Sequence, residues 1–95
     1  LSTIDRVGDV GWETSAAIGA DGLPVVSYLD WASVDLKVAH CNDVPCTVAT
    51  ISTIDSSGLV GQDSSVAIGT DGLPIISYFD QTSDNLKVIH LPLGY

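Results

Sequence analysis

The chain has 95 residues, with 12 acidic and 3 basic side chains and a formal net charge of −9 when histidine is neutral. Hydrophobic residues make up 45% and charged residues 16%, too apolar a balance for a disordered acidic tail and enough chain for one small domain. No apolar run reaches the ~18 residues of a membrane-spanning helix. The acidic balance and the lack of a basic stripe exclude a nucleic-acid backbone as the expected partner, leaving a β-rich chain with neither membrane nor nucleic acid to bind. It opens on Leu1 and contains no Met, so the sequence reads as a processed chain or an excerpt of a longer one, with any secretion signal already gone.

Self-similarity dominates the sequence. Displaced by 50, the chain falls on itself, with 23 of the 45 comparable positions identical and no gap. Repeat 1 spans residues 1–50 and repeat 2 spans 51–95. In chain order, Leu1, Ser2, Thr3, Ile4 and Asp5 return as Ile51-Ser-Thr-Ile-Asp55, the end of a β-branched segment that begins at Thr47. They therefore read as a strand of the same kind, the fourth of a set whose other members lie elsewhere. Ser15 to Gly19 and Ser65 to Gly69 read as small-residue first strands. Asp21-Gly22 and Asp71-Gly72 follow as hairpin turns, since Gly takes positive φ at little cost.

Pro24 and Pro74 open second strands, Val25–Asp30 and Ile75–Asp80, at a position where no ladder donor is needed. A loop at 31–35 leads to the third strand, Leu36–His40, whose alternation places Leu36, Val38 and His40 on one face and Lys37 and Ala39 on the other. A second turn at Asn42–Pro45 precedes the fourth strand, Thr47 to Asp55, rich in Thr, Ile and Val. Strands at intervals of roughly 8–12 residues, with no helical capping pattern, predict an all-β chain. Repeat 2 ends after its third strand and lacks a fourth of its own.

The block Ser-x-Ala-Ile-Gly-x-Asp-Gly-Leu-Pro-x-x-Ser-Tyr-x-Asp, followed by Leu-Lys-Val-x-His, covers both repeats. It resembles the blade repeats of secreted bacterial β-propeller arrays, whose blades have four antiparallel strands. That resemblance implies two propeller-like blades in an extracellular or cell-surface setting, and its motifs specify the architecture rather than an activity. The Trp-Asp dipeptide and the double glycine of two better-known blade types are absent. A β-solenoid and a two-sheet sandwich are the competing architectures. Two blades do not close a ring, because propellers typically use about 4–8. Identical chains, in a ring or filament, or further repeats of a longer parent are therefore the expected partners. The expected contact edges are Leu1–Asp5 of one chain and Leu86, Lys87, Val88, Ile89 and His90 of the next.

Cys41 and Cys46 flank Asn-Asp-Val-Pro on strands that would be neighbours, so a disulfide across the turn is expected, with an oxidising compartment as its consequence. Two cysteines beside His40 do not make a structural zinc site, and no metal or other cofactor is expected. Ser27, Asp30 and His40 could be arranged as a nucleophile, an orienter and a base, but Ser77, Asp80 and His90 repeat them. Recurrence in each repeat favours a structural role over a hydrolase, and no catalytic residues are assigned. The paired acids near Asp30 and Asp35 lack a calcium-loop pattern. Trp12 and Trp31 occur only in repeat 1, where repeat 2 has Gln62 and Gln81. With Asp30 and Asp35 they form the candidate ligand site, and glycans are the candidate ligand, since aromatic faces stack on sugars.

Overall fold

The computed structural model describes residues 3–5 and 10–92. Among the described residues seven strands run in chain order: β1 (Val10–Ile18), β2 (Pro24–Asp30), β3 (Asp35–Cys41), β4 (Ala49–Asp55), β5 (Val60–Ile68), β6 (Pro74–Asp80) and β7 (Asn85–His90). They form two antiparallel meanders, a four-stranded sheet β1-β2-β3-β4 and a three-stranded sheet β5-β6-β7. Among the described residues no helix is long and apolar enough to cross a membrane.

The Asp-Gly turns build the first hairpin of each sheet in the same way. In the first, the Gly19 amide donates to the Leu23 carbonyl and the Gly22 amide to the Gly19 carbonyl. Gly22, at φ +79°, takes a conformation that costs other residues a Cβ clash. The Asp21 carboxylate completes the turn by accepting the Leu23 amide at 2.9 Å. Asp71, Gly72 and Leu73 repeat this arrangement.

The first strand of each sheet is longer than the expected segment and starts at Val10 and at Val60 rather than at Ser15 and Ser65. Each contains two register shifts, between Val10 and Trp12 and between Trp12 and Ser15 in β1, and at the corresponding places in β5. The shifts coincide with positive φ at Gly11 (+92°) and Glu13 (+52°), and at Gly61 (+96°) and Asp63 (+53°). Such bulges insert extra residues and break the period-2 alternation. The fourth strand is shorter than expected, Ala49–Asp55, because Thr47 caps the preceding turn through Asp43. Thr3 to Asp5 are in no strand of this chain. Leu1 and Ser2 of the expected contact edge lie outside the described residues, and Leu86–His90 fall within β7.

The predicted alternation of β3 holds: Leu36, Ser27's neighbour Val38, and His40 lie across from Leu29, Ser27 and Val25 of β2. This face of the first sheet packs on the second. Val25, Leu36 and Val38 join Val66, Ile76, Tyr78, Val60 and Leu91 in one cluster. The Val60 amide donates to the Val34 carbonyl, and Ser27 and Ser64 share a buried hydroxyl–hydroxyl hydrogen bond of 2.9 Å. The core therefore lies between the two sheets, not within either.

Cys41 and Cys46 form the expected disulfide. Cys41 is fully buried, and Leu91 fills the corresponding place in the second sheet. The bridge closes a loop with a sequence separation of 5, so chain entropy predicts a loss of only about 2 kcal/mol on reduction. Thermal unfolding with and without a reductant should show a modest fall in Tm with the fold retained. A reduced chain that is wholly unfolded at room temperature would contradict this account.

Candidate functional site

Two polar clusters recur at the 50-residue spacing. In the second sheet, the Tyr78 hydroxyl donates to Asp55 Oδ2 at 2.7 Å, and Lys87 Nζ lies 3.4 Å from Asp55 and 3.2 Å from Asp80. In the first sheet, the Tyr28 hydroxyl donates to Asp5 Oδ2 at 2.7 Å, and Lys37 Nζ lies 3.9 Å from Asp5 and 3.0 Å from Asp30. Asp55 ends β4, so this cluster ties the last strand of one sheet to the second and third strands of the next. Asp5 occupies the same place against the first sheet.

The electrostatics follow from burial and pairing. Burial pushes both Tyr28 and Tyr78 hydroxyls well above the usual tyrosine range, and the adjacent Asp5 and Asp55 carboxylates add to the effect. Burial opposes ionisation of Asp55, but hydrogen bonds from Ser57 and Tyr78 and the Lys87 ammonium outweigh it and hold the carboxyl down at about 2. A folded-state value below the unfolded ~3.9 stabilises the fold above that unfolded value, and this stabilisation is lost as pH falls toward 2. Chemical denaturation between pH 4 and pH 2 should show a decline that Asp55→Asn flattens. An unchanged slope in Asp55→Asn would show that other carboxylates govern acid stability.

The residues that could have been a catalytic set go to separate partners. Ser27 bonds Ser64, Asp30 pairs with Lys37 and accepts the Ala32 amide at 3.1 Å, and His40 Nε2 meets Asp21 Oδ2 at 2.7 Å. In the second sheet His90 Nε2 meets Asp71 at 2.8 Å and Asp80 pairs with Lys87. Each histidine thus ties the third strand to the first hairpin turn. Among the described residues no group of three metal-ligating side chains converges.

Trp12 and Trp31 do come together. Their ring centroids are 6.5 Å apart with the planes inclined at 48°, and each ring system is about half exposed, 52% and 49%. With Leu29 and Glu13 they line a cleft of about 330 Å³. The bulged conformation at Gly11 and Glu13 brings Trp12 opposite Leu29, beside the loop that carries Trp31. Glu13 Oε2 accepts the Asp63 amide at 3.0 Å, which fixes the carboxylate between the two sheets. Of the two acids expected beside the tryptophans, Asp30 is 5% exposed and engaged by Lys37, and Asp35 lies across from it at the start of β3. Neither lines the cleft, and the carboxylate that does is Glu13. Its bulge hid it from strand periodicity. The same places in the second sheet hold Gln62 and Gln81, joined by a 2.6 Å hydrogen bond.

The two sheets differ most in what covers them. Val25, Leu29, Leu36 and Val38 of the first sheet are at most 1% exposed, whereas on the same face of the second sheet Ile75, Leu86 and Val88 are 38%, 77% and 62% exposed. Comparison of the chain with protein-family models, with curated proteins and with solved structures finds no match in any of the three.

Proposed function

We propose that the chain is a non-catalytic repeat module of propeller-like blades that assembles head to tail, through copies of itself or through neighbouring repeats of a longer parent. The observation that carries this reading is the open face Ile75, Leu86 and Val88, whose counterpart in the first sheet is sealed by the next sheet. Exposed apolar faces and unpaired strand edges are templates for association. The internal contact between the sheets supplies a template for the contact between chains, with each residue number displaced by 50.

Within the chain, β3 pairs with β4 in the register Leu36↔Asp55, Lys37↔Thr53, Val38↔Ser52 and Ala39↔Ile51. Displacement assigns Leu86↔Asp5, Lys87↔Thr3, Val88↔Ser2 and Ile89↔Leu1 between chains, with residues 1–5 of one copy completing the second sheet of another. The Asp5–Tyr28 hydrogen bond supports this register, because it matches Asp55–Tyr78 and holds Asp5 where a preceding fourth strand would end. A heterologous contact of this kind closes into a ring if its rotation allows, and otherwise grows as a filament. Three or four chains would give a blade number inside the usual ~4–8 range. The disulfide supports an oxidising, extracellular or cell-surface compartment.

Mass measurement in solution across a concentration series tests the reading. Discrete multiples of the 9.9 kDa chain, or a filament, are expected. A monomer persisting at high concentration would overturn self-assembly and leave the longer-parent form, for which adding the flanking repeats in one polypeptide should bury the open face.

A further inference from the structure

The cleft between Trp12 and Trp31 has a chemistry distinct from the assembly surfaces. Its walls are two half-exposed indoles, its floor is the apolar Leu29, and its one charged group is the Glu13 carboxylate. The geometry points to a binding site for a small organic cation of the quaternary or methylated ammonium type, seated against both indoles with Glu13 as its counter-ion.

Three observations favour a cation over the neutral sugar that exposed tryptophans first suggest. The 6.5 Å centroid separation lies within direct aromatic contact range. Rings at that separation and inclined at 48° leave no parallel gap in which a flat sugar ring could be sandwiched. A cation, by contrast, is attracted within about 6 Å of a ring centroid, and with centroids 6.5 Å apart one compact group can satisfy that limit for both rings at once. The second observation is charge. Glu13 is anchored by the Asp63 amide, so a carboxylate stands at the cleft without further ordering, on a chain of net charge −9. The field of the whole molecule therefore attracts cations. The third is the contrast between repeats: Gln62 and Gln81 keep the pairing but remove both π faces, so the first sheet alone carries the site.

Displacement by 50 puts the Trp12 wall of the cleft at the proposed contact between copies and leaves the Trp31 side open. Gln62 is covered in the packed pair of sheets, yet Gln81, which stands where Trp31 does in the first, remains exposed. The Trp31 side of the cleft therefore keeps its opening whether or not a copy docks nearby.

The test is a titration of the full chain with choline at constant ionic strength, followed by tryptophan fluorescence. Its uncharged isostere 3,3-dimethylbutan-1-ol and a panel of monosaccharides run in parallel. Saturable binding of choline is expected, with the isostere at least about tenfold weaker because it lacks the charge. Trp12→Gln with Trp31→Gln copies the pair that the second sheet already accommodates. It should keep the thermal transition while abolishing binding, read by choline methyl NMR line broadening because the fluorophores are gone. Glu13→Gln retains an acceptor for the Asp63 amide and should weaken choline severalfold without affecting the isostere. Equal binding of choline and isostere would overturn the proposal, as would saturable binding of a sugar in place of choline, undiminished binding by the double variant, or no response to choline at all.

Discussion

A chain lacking residues 1–5 is expected to remain folded and to run as a monomer, or as irregular aggregates, under conditions where the full chain forms regular assemblies. The reason is the sheet edge. Among the described residues no strand covers the outer edge of β7, whereas β3 is covered by β4 through six Cα partner pairs. Residues 1–5 have the sequence of β4's last five residues apart from Leu1 in place of Ile51. Deletion also removes the Asp5 partner of Tyr28, whose hydroxyl is then left without its acceptor at a cost of about 1–3 kcal/mol. A second variant separates assembly from folding. Leu86→Asp with Val88→Asp alters two side chains that are 77% and 62% exposed in the single chain, so its monomer stability should change little while assembly is lost. Regular assembly by both variants, measured by sedimentation or light scattering, would overturn the head-to-tail contact.

The second large effect comes from two glycines at the same place in the two repeats. Gly61→Ala should destabilise the chain by roughly 2–5 kcal/mol, combining ~1–2 for the left-handed backbone with ~1–3 for overpacking. At φ +96° its added Cβ would lie 2.9 Å from the Leu36 Cα, and backbone cannot swing aside as a side-chain tip can. Gly11, at φ +92°, meets nothing within 4 Å among the described residues. Gly11→Ala should therefore carry only the backbone strain, roughly 1–2 kcal/mol. Displacement by 50 puts Leu86 of another copy against Gly11 in the proposed assembly. The smaller effect on the single chain should then be joined by a marked loss of association. Urea denaturation of both variants, with mass measurement of Gly11→Ala, checks the pair. Equal destabilisation by the two would show that Leu36 gives way, and unimpaired assembly of Gly11→Ala would place the contact elsewhere.

The repeat, the all-β class, the Asp-Gly hairpins and the disulfide were all legible in the residues alone. Each of these is a local matter. Gly22 and Gly72 set their turns through backbone freedom, and the alternation of Leu36, Lys37, Val38 and Ala39 states which face is apolar without reference to any partner. Cys41 and Cys46 are close in sequence and lie on one turn.

What fills each face came from packing between the sheets. The length of β1 and β5 was hidden because Gly11, Glu13, Gly61 and Asp63 break the alternation on which strand reading depends. Those same bulges bring Glu13 to the cleft and hold it against the Asp63 amide, a contact spanning 50 residues that no local pattern encodes. Asp30 and Asp35 are the acids that the sequence points to beside the tryptophans, and Glu13 is not among them. Packing reversed this, because Lys37 of the adjacent strand neutralises Asp30 before any ligand can. The partnership of Asp5 with Tyr28 had a sequence trace, since Asp5, Tyr28 and Lys37 all return 50 residues later. Identity at a fixed spacing says that these residues recur, however, and not that they meet. Their meeting depends on one sheet being laid against the next, and the apolar faces between sheets, rather than any strand's own preference, set that placement.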